Sequence, residues 1–261
     1  MTNLQLDVRT ETQLSADERP VAAVTGASSG IGQLIAQRLV KMGYDVAICA
    51  RREDRLAAVA EALSAQGADV LALTVDLRDE PQILRFFDAI KRRWGRLDVL
   101  VNNAGLGHKE PLMTGSSEAW REMLEVNVLA LCICTREAIG LMTGANSGHI
   151  VHVSSMSGHR VPAIAGIYSA TKFAVRSLGE TLRRELRAAN SAIRISSVSP
   201  GIVETEFAEK YHQSAEAAKD TYSQFPVLQA DDVAEAVAYA LSQPAHVEVN
   251  DILIRPTQQS S

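Results

Sequence analysis

From residue 20 onward, short β-branched, apolar runs alternate with longer stretches in which apolar residues recur at a helical period. The runs fall at 21–25, 45–50, 70–75, 97–101, 149–154, 193–199 and 251–254, and read as strands. The stretches at 30–42, 52–66, 80–94, 117–140, 166–190 and 230–242 read as helices. VAAVT and LDVLV are apolar at successive positions, so both faces of those strands should be covered. Strict alternation of strand and helix predicts βαβ units: an α/β fold with a doubly wound sheet of about seven parallel strands and helices on both faces. No linker or composition break interrupts 20–257, which therefore reads as one domain. Residues 1–19 are polar, have no clear period, and read as an extension leading into Pro20. The least regular segment, 201–228, is expected to form a lid, because such folds bind ligands beyond the carboxyl ends of their strands.

Composition narrows the function by exclusion. A net charge of −5 gives no support to nucleic-acid or anionic-membrane partners. The longest apolar run, 128–134, is less than half of the ~18 residues that a membrane helix needs. Asp7, Arg9, Glu11, Asp17 and Glu18 deny the N-terminus the apolar core of a secretory signal. Cys49, Cys132 and Cys134 have apolar neighbours and read as buried thiols, which suits a reducing cytoplasm. His149 and His152 face opposite ways on one strand, no histidine has metal-ligand spacing, and no metal is expected.

The first strand runs into Thr25-Gly26-Ala27-Ser28-Ser29-Gly30-Ile31-Gly32 and then directly into a helix. Glycines allow the backbone to approach a pyrophosphate, and the helix N-terminus offers free N–H groups to the anion. At the end of the second strand, an acidic residue would select NAD by bonding the ribose 2′-hydroxyl, whereas arginine accommodates a 2′-phosphate. The strand ends Ala50-Arg51-Arg52, with no carboxylate. Positive charge is unfavourable at a helix start, so these arginines point to NADP(H), with Arg51 the first candidate and Arg52 the second.

Tyr168 and Lys172 lie four residues apart at the start of the sixth helical stretch and share one face. An ammonium beside a phenol favours the phenolate, and an oxidised nicotinamide would add to that effect. Such a phenol can protonate the alkoxide formed when hydride reaches a carbonyl, or accept the proton in reverse. A hydroxyl from Ser154, Ser155 or Ser157, after the fifth strand, could orient the carbonyl; taken singly, Ser154 and Ser157 read better as turn residues satisfying their own backbone.

Taken together, TGASSGIG, Asn102-Asn103-Ala104-Gly105, Asn127, Ser155, Tyr168-x-x-x-Lys172 and Pro200-Gly201 resemble the short-chain dehydrogenase/reductase superfamily over about residues 20–257. The resemblance implies a Rossmann-type fold and selects Ser155, thirteen residues before Tyr168, as the catalytic serine. Asn127 would support a water-mediated proton relay to Lys172. Cofactor contacts would come from Gly26, Ser28, Ser29, Gly30, Ile31 and Gly32, and from Asp76 and Leu77 near the adenine. Asn103, Ala104 and Gly105 would border the cofactor, Tyr168 and Lys172 would meet the nicotinamide ribose, and Pro200, Gly201, Val203 and Thr205 would close around the carboxamide. Some NADP-dependent members carry a basic residue at the position of Ser28 or Ser29, which this chain lacks.

The C-terminal third resembles the NADP-dependent 3-hydroxy acid, serine-type dehydrogenases and related reductases of small polar carbonyl compounds. It does so through Thr205-Glu206-Phe207, Leu228-Gln229-Ala230-Asp231-Asp232, Pro244-Ala245-His246 and Ile254-Arg255-Pro256. The expected substrate is accordingly a small alcohol or hydroxy acid, lined by Leu106, His108, Met156, Arg160, Ile164, Phe207 and Tyr211, with Arg160 or His108 meeting an acidic group. A 3-oxoacyl-thioester reductase is the alternative on the same machinery. A non-catalytic NADP sensor would have no need of Ser155, Tyr168 and Lys172 together. Similar enzymes pair through the helices at 117–140 and 166–190, which implies a homo-oligomer, a tetramer in the first instance.

Overall fold

The computed structural model describes residues 19–163 and 165–260. The expected extension, except for Arg19, lies outside the described residues, as does Ile164. Arg19 belongs to the domain rather than to an extension: its guanidinium donates to the Gly43 and Tyr44 carbonyls and pairs with Asp45 at 3.3 Å.

Seven strands form one parallel sheet: β1 (Val21–Thr25), β2 (Asp45–Ala50), β3 (Val70–Thr74), β4 (Val99–Asn102), β5 (His149–Val153), β6 (Arg194–Pro200) and β7 (Asp251–Ile254). Their spatial order is β3-β2-β1-β4-β5-β6-β7. The order reverses between β1 and β4, and that switch point opens a crevice at the carboxyl ends of the strands. The strand alternation is legible residue by residue. Ala22, Val24, Val46 and Ile48 enter the core on one face, and Val21, Ala23, Ala47 and Cys49 enter the core on the other.

Helices α1 (Gly30–Lys41), α2 (Glu53–Ser64), α3 (Glu80–Trp94), α4 (Ser117–Leu124), α5 (Ala130–Met142), α6 (Gly166–Ala188), α7 (Phe207–His212), α8 (Ala215–Ser223) and α9 (Ala230–Ser242) complete the described fold. α1 packs on α9 over one sheet face, while α3 packs on α5 over the other.

The stretch expected as one helix at 117–140 is α4 and α5 joined by a wide π-helical turn, Glu125–Leu129. Hydrophobic period does not register one extra residue in a turn; such bulges tend to sit where a side chain must be re-aimed. The helical run Ser117–Ala145 is also long and apolar enough, by length and composition, to cross a membrane, which corrects the reading from unbroken apolar runs alone. A core helix passes the same measure, and Ala130, Ile133, Cys134, Ala138 and Met142 of this one are buried in the core.

Candidate active site

Two loops lock together at the switch point. The Thr25 hydroxyl accepts from the backbone N–H groups of Asn103, at 3.1 Å, and Ala104, at 3.0 Å. The Asn103 amide donates back to the Thr25 carbonyl at 2.9 Å. Gly26, at φ +69°, sits so close to Ala104 that an added Cβ would meet its Cα at 2.9 Å, and one on Gly32 would collide with the Asn103 amide. The loop at 26–32 is thereby drawn back against the sheet. At the start of α1, Ser29 makes no side-chain cap and no acidic residue occupies the first turn, leaving those N–H groups to an outside anion.

The crevice is a cavity of about 710 Å³, within the range of cofactor sites. Gly26, Ser28, Ser29, Gly30, Ile31, Gly32, Arg51, Arg52, Asp76, Leu77, Asn103, Ala104, Gly105, Pro200, Gly201, Val203 and Thr205 all line it, as do Ser155, Tyr168 and Lys172. So do Leu106, Met156, Arg160, Phe207 and Tyr211.

The proton-transfer candidates converge from three elements. Ser155, in extended conformation after β5, hydrogen-bonds Tyr168 and accepts from the Ser157 backbone N–H at 3.1 Å. Ser154 is instead a scaffold residue, buried and donating to the Lys172 carbonyl at 3.4 Å. Tyr168 lies in the first turn of α6, and Lys172 one turn on donates from Nζ to the Val153 carbonyl at 3.1 Å. Asn127, on the π-helical turn, pairs with Leu106 as a strand residue would. Its Oδ1 accepts from the Leu106 N–H at 2.9 Å, and its Nδ2 donates to the Leu106 carbonyl at 2.8 Å and the Thr171 hydroxyl at 3.1 Å. Asn127 Oδ1 and Lys172 Nζ both flank Gly105, each 3.4 Å from where a Cβ would stand.

Burial decides the ionisation of this cluster and outweighs the lowering expected from Lys172, to which an oxidised nicotinamide would add. Tyr168 is pushed up to about 12 by burial, with the Ser155 hydrogen bond pulling the other way and Tyr211 adding to the rise. Lys172 is pushed down to about 8 by the same desolvation. Its Nζ stands 5.9 Å from the Tyr168 ring centroid. Removing water favours the neutral form of each partner more than one distant ammonium favours the phenolate.

The segment 201–228 forms the outer wall through α7 and α8. Phe207 and Tyr211 stack at 5.8 Å and lie 5.4 and 6.0 Å from Tyr168, ring centroid to centroid. Gly107 makes room for all three: a Cβ there would stand 2.8 Å from Phe207, 2.9 Å from Tyr211 and 3.1 Å from Tyr168. The Tyr222 hydroxyl donates to the Thr205 carbonyl at 2.7 Å and ties α8 beneath the turn into α7.

One expectation needs correction. His108 does not face the cavity; its Nε2 meets Glu122 at 2.8 Å, and its neighbour Lys109 lines the site instead. A local period cannot tell which of two adjacent loop residues points inward. Arg51 is half-exposed and 3.6 Å from Glu122, whereas Arg52 donates to Ser28, at 3.1 and 3.2 Å, and to Ser29. Both arginines line the cavity, and Arg52 is the one whose guanidinium reaches the glycine loop. Asp76 reaches the crevice, with its carboxylate paired to Arg78 and held below the usual range by that hydrogen bond.

Among the site residues the sequence reading missed, two matter most. Glu206 bridges Arg52 and Arg55. Gln259, beyond the expected domain end, lines the cavity and accepts from the Ile202 N–H at 3.0 Å. Glu206 stands in the Thr205-Glu206-Phe207 motif, but that motif does not show its partners, and Gln259 belongs to no motif. Glu206 is 154 residues from Arg52, and Gln259 is 57 from Ile202.

A doubly wound sheet with a glycine loop at its switch point, and a Tyr–Lys–Ser cluster in the same cavity, defines a nicotinamide-dinucleotide oxidoreductase. The short chain dehydrogenase family matches residues 20–216, and the chain belongs to that family. It is a dehydrogenase/reductase acting on CH–OH groups. Human dehydrogenase/reductase SDR family member 11 is 46% identical over 246 residues, covering 92% of this chain and 95% of the relative. The closed form of serine dehydrogenase complexed with NADP+ superposes with a TM-score of 0.87 at 33% identity, covering 92% of this chain and 96% of that one. A short chain dehydrogenase/reductase from Burkholderia phymatum in complex with NAD superposes with a TM-score of 0.82 at 29% identity, covering 92% and 90%.

Proposed function

We propose that the chain interconverts a small polar alcohol or hydroxy acid and its ketone or aldehyde, using NADP(H), with Tyr168 as general acid and base. The observation that carries this reading is the Tyr168 phenol, bonded to Ser155 and flanked by Lys172, in the same cavity as the glycine loop.

The residues fit a dinucleotide: uncapped N–H groups at α1 suit a pyrophosphate, and Arg52 with Ser28 and Ser29 suits a 2′-phosphate. When bound, the cofactor donates or accepts the hydride. In reduction, Ser155 holds the carbonyl oxygen by a hydrogen bond and Tyr168 delivers its proton to that oxygen as it gains charge. Lys172 stabilises the phenolate left behind, and the positive charge of the oxidised nicotinamide strengthens that effect. Asn127 holds the Leu106 backbone and Thr171 in place beside Lys172, where a proton relay would pass.

Two features favour a polar or acidic substrate. Lys109 and Arg160 bring positive charge to the cavity, and Phe207 and Tyr211 shield the reacting carbon from water. The segment 201–228 serves as the lid. Leu124, Leu129 and Phe173 leave apolar surface exposed along α4, the wide turn and α6, which supports a homo-oligomer, a tetramer in our reading.

The test is a panel of small aldehydes, 3-oxo acids, cyclic ketones and an acyl-thioester, followed at the NADPH absorbance band with wild type and Tyr168→Phe. Turnover of a small oxo acid or aldehyde is expected, with loss of about 10²–10⁴-fold in Tyr168→Phe and NADPH binding retained. Preference for the acyl-thioester would overturn the substrate class; an active Tyr168→Phe would overturn the mechanism.

A further inference from the structure

Glu206 is the last residue before α7, and its carboxylate gathers groups from three separate parts of the chain. Oε2 pairs with Arg52 Nη1 at 2.6 Å, accepts from the Ser29 hydroxyl at 3.5 Å and lies 3.6 Å from Lys210 Nζ. Oε1 pairs with Arg55. Arg52 in turn holds Ser28 and Ser29. Two guanidinium groups, an ammonium and hydroxyls around one anion are the donors that recognise a phosphate monoester. Three cations face Glu206, and with Glu209 also lining the adjoining hollow the cluster still holds one more cation than carboxylates. Arg55 and Arg52 hold Glu206 down to about 2, so it stays ionised at any working pH.

The clasp is built to be exchanged. Its members are partly exposed, with Glu206 at 39% and Arg55 at 53%, and pairs so placed are individually weak. On the far side lies a second hollow of about 400 Å³, lined by Arg52, Arg55, Glu206, Glu209, Lys210 and Ser214 among others, which gives the side chain space to move. The next residue, Phe207, packs against Tyr168, so the same turn faces both ends of the crevice.

Building on the NADP(H) reading, we propose that Glu206 is a specificity-determining residue. Its carboxylate competes with the 2′-phosphate for Arg52, and Arg55 and Lys210 become phosphate ligands once it yields. A 2′-phosphate carries more charge and more acceptor oxygens than a carboxylate and wins that competition, whereas NAD(H) has nothing to exchange.

The test is direct titration of NADPH and, separately, NADH into wild type, Glu206→Gln and Glu206→Gln/Arg55→Ala, read by nicotinamide fluorescence. Glu206→Gln is expected to tighten NADPH about three- to fivefold, the scale of one exposed ion pair, with NADH unchanged; adding Arg55→Ala should remove the gain. Unchanged or weaker NADPH binding in Glu206→Gln, or a parallel change for NADH, would overturn the role of Glu206. Wild type that binds NADH as tightly as NADPH would instead overturn the cofactor reading on which it rests.

Discussion

The two ends of the crevice handle charge in opposite ways. Around Tyr168 and Lys172 burial drives each group toward its neutral form, the phenol to about 12 and the amine to about 8. Around Glu206 water remains, and paired guanidinium groups hold the carboxylate ionised, down to about 2. The buried end is poised, because a positive charge entering a desolvated site moves ionisation equilibria strongly. The exposed end is exchangeable, because each of its ion pairs is individually weak. Proton transfer needs the first environment, and recognition of a phosphate that must come and go needs the second.

The contrast can be broken first at Lys172. Lys172→Met should reduce turnover by about 10²–10⁴-fold, because the phenolate loses its fixed counter-charge. Its folded pKa lies below the unfolded value, so below about pH 8 the native state is destabilised by holding a buried ammonium, and that penalty fades as pH rises from 8 toward 10.5. The melting temperature of Lys172→Met at pH 7 is therefore not expected to fall; calorimetry beside steady-state kinetics separates the two effects.

The pH profile is the next test. Reduction consumes a proton and needs both groups protonated, so kcat/KM for reduction should fall above about pH 8, by about tenfold per unit once Lys172 is neutral. A profile flat to pH 10 would contradict a buried Lys172.

Gly107→Ala tests the aromatic wall between the two ends. The added methyl meets Phe207, Tyr211 and Tyr168 within 3.1 Å, so the lid must stand off. A loss of about tenfold in kcat/KM is expected, with NADPH affinity largely kept. The smallest effect falls to Arg160→Ala at the exposed rim, where KM for an acidic substrate should rise a few-fold and KM for a neutral one should not.

Much of this architecture was legible in the chain. The strand at 251–254 and the helices at 80–94 and 230–242 match the observed β7, α3 and α9, because local period and turn chemistry decide such elements. The glycine loop and the Tyr168–Lys172 pair were legible for the same reason: loop-to-helix continuity and a single helical turn are short-range facts. The bulge at Asn127 was not, because its cause is a pairing with Leu106 across 21 residues. Nor was the choice between His108 and Lys109, which depends on Glu122 standing on α4 to receive the imidazole.

By itself, then, the sequence determined the alternating α/β fold, the phosphate-binding loop and the residues able to move a proton, because each is encoded in contiguous spacing. Only the tertiary structure decided which arginine touches the glycine loop and which carboxylate pairs with it. It also decided that Tyr168 and Lys172 are set by burial before they are set by each other. Desolvation and long-range ion pairing are properties of the packed chain, and no local pattern carries them.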